Sequence, residues 1–128
     1  MRKPIKGEGG IFPPFGRYHH GMEVTGAERL LFLSGQLPFT LEGKVPAGMT
    51  AQAELVFANI DTLLNEAGMR RINIVRLTTF LLDPAHRGPY MDVRDRWVEA
   101  PAPASTLLFV SGLAHPDALI EIEAIAAS

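Results

Sequence analysis

Three runs in the chain, RLLFLS (29–34), LTTFLL (77–82) and TLLFVS (106–111), are almost continuously apolar. Strands read this way when both faces of their sheet are covered. The rest of the chain offers only two segments with helical periodicity, enough to cover one sheet face. The second face would then be an apolar patch larger than monomers usually leave open. The runs therefore predict a sheet protein that associates with copies of itself through its sheet.

The two helices can be placed. AQAELVFANIDTLLNEA (51–67) carries a stripe of Ala53, Val56, Ile60, Leu63 and Ala67, widened by Leu55, Phe57 and Leu64. Spacings of three and four put these residues on one face. Thr50 is the expected N-cap and Gly68 the expected stop. RGPYMDVRDRWVEA (87–100) reads as the second helix, with Tyr90, Val93 and Trp97 inward and Arg94 and Arg96 on a charged outer face.

The strands fall around these helices. Tyr18–Val24 and Arg29–Ser34 are expected as a hairpin turning at TGAE (25–28). INIVRLTTFLLD, STLLFVS and ALIEIEAIA supply three more. In the last, Ile120, Ile122 and Ala124 point one way; Leu119, Glu121, Glu123 and Ile125 point the other. Residues 1–16, rich in Gly and Pro, read as an extended arm on a single domain spanning 1–128. The class is α+β, a mixed sheet with two helices on one face.

Composition narrows the function classes. A formal charge of −2 without a basic stripe gives no footprint for nucleic acid. No cysteine is present, which removes thiolate chemistry and agrees with a cytoplasmic setting. MRKPIKGEGG has no apolar signal-peptide core, and no apolar run reaches membrane-spanning length. His19 and His20 are adjacent, so a regular strand would send them to opposite faces; no metal site is expected. SGQLP (34–38) is a turn with a polar rim, His86 and His115 are given no role, and Glu121 is either a solvated edge residue or a partly desolvated carboxylate equipped for proton transfer.

The order of the motifs says more than any single residue. GRYHHGMEV, LFLSGQLP, NEAGM, IVRLTTFLLD, PASTLLFVSGLA and IEIEAIA span Phe15 to Ala126. In that order they resemble the reactive-intermediate deaminase (RidA/YjgF) family, whose members often carry the label L-PSP endoribonuclease. The resemblance implies a chorismate-mutase-like α+β subunit, a homotrimer and small-molecule sites in clefts between subunits. It also implies cofactor-free hydrolysis of enamines and imines such as 2-aminoacrylate to a keto acid and ammonia. No membrane partner is implied.

Carried over by position, the family's site tyrosine falls on Tyr18, its serine on Ser34, its water-positioning glutamate on Glu121 and its helix asparagine on Met91. The family's PARS reads PAST here, so Ser105 stands where an arginine would hold the substrate carboxylate, and Thr106 follows it. A hydroxyl cannot form the bidentate pair, and each charge-assisted hydrogen bond lost is worth ~1.5–3 kcal/mol. Three readings follow. The chain hydrolyses an enamine or imine other than 2-aminoacrylate, with Arg17 as one substitute cation; or it binds a ligand in the cleft without turnover; or, least supported by its charge, it cleaves RNA.

Overall fold

The computed structural model describes residues 1–128. Six strands and two helices run in the order β1 (Arg2–Ile5), β2 (Gly21–Val24), β3 (Leu30–Gln36), α1 (Met49–Glu66), β4 (Ile74–Leu81), α2 (Arg87–Trp97), β5 (Ala104–Phe109) and β6 (Ile120–Ala127). The main sheet has the order β3-β6-β4-β5. The β4–β5 pair is parallel and the other two are antiparallel, so the sheet is mixed as expected.

Alternation explains how the core is filled. Leu77, Thr79 and Leu81 of β4 and Ile120, Ile122 and Ala124 of β6 are buried on the face covered by the helices. From α1 come Ala53, Val56, Phe57, Ile60 and Leu64; from α2, Tyr90, Val93 and Trp97. Leu63 of the expected stripe is only half-buried, because the helix turns Leu64 inward instead. Phe57 stacks between Trp97, with ring centroids 4.6 Å apart, and Tyr90 at 6.3 Å. Such aromatic pairs add about 0.5–1.5 kcal/mol beyond the area they bury.

The end of α1 follows the sequence reading closely. Gly68 takes φ +69°, its N–H reaches the Asn65 carbonyl at 3.0 Å, and the Met69 N–H reaches Leu64 at 2.8 Å. That is a Schellman closure, which favours glycine at the left-handed position. The start differs. The capping residue is Gly48, with φ +88° and no side-chain cap, while Thr50 lies exposed inside the helix. Burial of Met49 in the core starts the helix two residues earlier than a threonine cap would. Nearby, buried Gln52 donates to the Pro46 and Asp117 carbonyls at 2.9 Å each and accepts from the Leu119 N–H at 2.7 Å.

The expected hairpin at TGAE does not form. β2 pairs with β1 over four residues, and β3 pairs with β6 in the main sheet. The expected strand Tyr18–Val24 shortens to Gly21–Val24, with His19 making only a single bridge to Ala104. β3 gains more by laying Leu31 and Leu33 against the core through β6 than by local pairing with the short β2. Residues 2–5 of the expected extended arm are thus strand, and Arg2 anchors them by donating to the Ile74 and Pro101 carbonyls at 2.6 and 3.0 Å. Burial lowers the pKa of that guanidinium.

Both helices pack on one side of the main sheet, which leaves the other side open. Phe32 is 69% exposed there and Leu30 62%. This face is more mixed than the apolar runs imply, because alternate positions bring out Ser34, Arg76, Thr78, Thr106, Glu121 and Glu123. No helix is long and apolar enough to cross a membrane.

Candidate functional site

The alternation of β5 sends its two hydroxyls apart. Ser105 pairs in register with buried Leu77 and looks toward α2, whereas Thr106 pairs with Thr78 on the open face. There Arg76 Nη2 donates to Thr106 Oγ1 at 3.0 Å. The main sheet separates two cavities, one on its helix side and one on its open face.

The first cavity, about 210 Å³, lies between β5 and α2 and is lined by Phe15, Tyr18, Arg87, Met91, Arg94, Ser105, Leu107 and Phe109. Three of the carried-over positions, Tyr18, Met91 and Ser105, meet here. Tyr18 is delivered by its neighbour, since the His19 N–H donates to the Pro103 carbonyl at 3.1 Å, just before β5. His20 closes the preceding loop through Nε2 and the Phe12 carbonyl, 2.7 Å apart, and its ring meets Tyr18 edge-on. The adjacent histidines thus serve loop geometry, and no group of three metal-ligating side chains forms anywhere in the chain.

The charge in this cavity comes from α2. Arg94, expected on an outer face, is 3% exposed. Spacing explains the correction: Tyr90, Arg94 and Trp97 follow the i, i+4, i+7 pattern, so they share the inward stripe. The Arg94 guanidinium carbon lies 6.0 Å from the Tyr18 ring centre and 5.8 Å from that of Tyr90. Its Nε donates to Asp95 Oδ1 at 3.1 Å. Nη2 is also 3.1 Å from that oxygen but poorly aligned, and it has no hydrogen-bond partner. Gly16 is packed directly over it, where an added Cβ would come within 2.7 Å of Nη2. Arg87, exposed, sits over the Phe15 ring at 5.6 Å. Arg17 does not line the cavity; its Nη1 donates to the Asp95 carbonyl at 2.8 Å.

The second cavity, about 280 Å³, opens on the uncovered sheet face and includes Phe32, Ser34, Arg76, Thr78, Glu123 and Ile125. Glu121 lies two residues before Glu123 on the same strand face, in register with Phe80. Its carboxylate rests on the backbone of Gly35: a Cβ there would sit 1.9 Å from Oε2. This gives SGQ a physical reason for its glycine. Ser34, Thr106 and Glu121 therefore share the open face, and Tyr18, Met91 and Ser105 share the helix side.

Comparison with known proteins agrees with this architecture. The family model described as Endoribonuclease L-PSP matches residues 11–128. The chain belongs to this family. A RutC family protein of Aquifex aeolicus is 41% identical over 71 residues, a match spanning 55% of this chain and about half, 54%, of that relative. The L-PSP fold is matched closely by the Rid-family protein YyfB of Yersinia pestis, described as of unknown function. That structure has TM-score 0.88 and 32% identity over 99% of this chain and 98% of its own. Escherichia coli TdcF, solved with bound serine, is similar with TM-score 0.73 and 27% identity over 90% and 91% of the two chains.

Proposed function

We propose that this L-PSP family chain forms a homotrimer whose intersubunit clefts bind a small molecule and hydrolyse an enamine or imine to a carbonyl compound and ammonia. The observation that carries the reading is the division of the six carried-over positions. Three lie on each side of the main sheet, one set facing α2 and the other on the open face. Neither set is sufficient alone. Packing the open face of one copy against the β5 edge of another joins Ser34 and Glu121 to Tyr18 and Ser105, and it covers Phe32 and Leu30. TdcF, with its bound serine, shows that a relative's fold accepts a small amino acid.

The chemistry needs few groups. An acid protonates the enamine carbon, CH2=C(NH2)R, to give the iminium CH3–C(=NH2⁺)R. Water adds to the C=N carbon, and the carbinolamine collapses to CH3–CO–R with loss of ammonia. Glu121, held by its contact with Gly35, orients the water and moves the proton. Tyr18 presents a hydroxyl to the substrate. Ser105 in place of arginine weakens the grip on 2-aminoacrylate itself, so enamines or imines other than 2-aminoacrylate are the expected substrates.

Imines generated in situ by an amino-acid oxidase test the reading, with carbonyl and ammonia release followed over a panel of side chains. Acceleration that Glu121→Gln reduces at least tenfold supports it. Binding without acceleration across the panel would leave the second reading, a ligand-binding cleft without turnover, which the replacements Ser105 and Met91 favour.

A further inference from the structure

The four strands of the main sheet hold three charged residues, Arg76, Glu121 and Glu123, and all three lie on the open face. None is ion-paired within the chain, whose two ion pairs are Arg71–Asp61 and Arg94–Asp95. Glu123 stands opposite Thr78 and Arg76 opposite Ile125, so cation and carboxylate are diagonal neighbours across β4 and β6, within reach of long side chains. The guanidinium turns the other way. Its Nη2 donates to Thr106 Oγ1 at 3.0 Å, toward the edge strand β5. Glu123 stays exposed at the wall of the open-face cavity, with Phe32 and Ser34. Glu121 rests on Gly35.

We infer that Arg76 of one copy pairs with Glu123 of the next, and that this pair fixes the register of the assembly and its selectivity for its own kind. The inference rests on the homotrimer reading, in which the open face of one copy meets the β5 edge of another; it does not require turnover. Open face and edge are different surfaces, so the contact runs head to tail and closes as a ring. Strand order puts the two charges where such a junction needs them: Arg76 is on β4 beside β5, and Glu123 is on β6 beside β3. Packing there takes both out of water, and a charge buried alone is strongly unfavourable. Exposed Leu30 and Phe32 supply apolar attraction without direction. A charge pair supplies the direction, and it rejects partners that present the wrong sign. Arginine can serve two acceptors at once, since Nη2 stays on Thr106 while its other N–H groups meet the carboxylate. Glu121 is then the one carboxylate of the face without an assigned cation.

Sedimentation of the full chain reads the assembly directly. The wild-type protein is expected to sediment as a trimer. Arg76→Glu and Glu123→Arg each set like charges against one another at every junction, and each should weaken assembly by roughly a hundredfold or more. Both exchanges in one chain should restore the trimer. Mixing the two single variants should restore it in part, because two of the three junctions then carry opposite charges. A pair confined within one chain would not respond to mixing. The milder Arg76→Gln and Glu123→Gln keep the test valid if a charge reversal fails to fold. Each should weaken assembly about tenfold, and the two together little further, since either change alone already removes the pair. Wild-type assembly in the single variants, singles that stay apart when mixed, or neutral changes whose effects multiply would overturn the pair while leaving the trimer standing. A wild-type protein that sediments as a monomer would overturn the trimeric reading itself.

Discussion

Gly35 and Glu121 are in van der Waals contact across the β3–β6 pair, with the carboxylate occupying the space where any other residue at 35 would place its Cβ. The contact joins the end of β3, where its register with β6 shifts, to the strand that carries the expected catalytic carboxylate. It also makes the SGQ motif a support for Glu121 rather than a turn with a polar rim.

Gly35→Ala should therefore displace Glu121. The added carbon would lie 1.9 Å from Oε2 and 2.7 Å from the carboxyl carbon, so the carboxylate has to move. The carboxylate is the far end of a flexible side chain, so moving it costs little stability. We predict that kcat for imine hydrolysis falls at least tenfold while thermal melting still shows a cooperative fold. Wild-type kcat in Gly35→Ala would remove Glu121 from its assigned role.

Gly16→Ala tests the other half-site. Its Cβ would meet the far end of the Arg94 side chain at 2.7 Å, and a flexible guanidinium can yield. Stability should change little. Imine hydrolysis should fall severalfold as the guanidinium is pushed from its place beside the Tyr18 ring, and an activity assay on the folded variant reads the change.

Tyr90 carries a pH signature. Its buried hydroxyl lies 2.6 Å from Thr79 Oγ1. Burial pushes the phenol pKa up from its ordinary value of about 10, while the Thr79 hydrogen bond and Arg94 pull the other way. The native state holds this proton at pH values where the unfolded chain has released it. The contribution is whole below pH ~10 and declines as pH rises above that value. Denaturant titrations from neutral to alkaline pH should show the decline, and Tyr90→Phe should flatten it. Thr79→Val removes this hydrogen bond and should cost about 0.5–1.5 kcal/mol.

Asp61 is a check on the fold away from either cavity. It accepts from Arg71 Nε and Nη2 at 2.8 Å each and from Trp97 Nε1 at 3.1 Å, tying α1 to the end of α2. That hydrogen bond with Asp61 is the main reason the Arg71 pKa is raised. Because Arg71 and Asp61 are each over a third exposed, Asp61→Ala should cost only about 1 kcal/mol by urea unfolding. Imine hydrolysis should be unaffected.

Local patterns were legible where local physics decides the outcome. The period of α1, the glycine that closes it, and the alternation that turns Glu121 away from Ile120 and Ile122 can all be read in the chain. The strand pairing could not be, because β3 chooses between β2 and β6 on the strength of a core assembled from distant segments. Arg94 shows a different failure. Its position four residues after Tyr90 placed it on the buried stripe, but the expectation that charges face water outweighed the spacing. Ser105 and Thr106 were separable from the start by strand alternation, and only the fold shows which of them meets α2.

The claim that Glu121 and Tyr18 act across a boundary between copies can be tested by mixing two defects. Glu121→Gln and Tyr18→Phe, each assembled alone, leave one half of every cleft impaired. In oligomers co-assembled from equal amounts, about a quarter of the clefts would receive both intact halves if those halves come from different copies. Imine hydrolysis by the purified mixed oligomer should then rise well above the mean of the two parent variants. Activity no greater than that mean would place both halves within one chain and contradict the account.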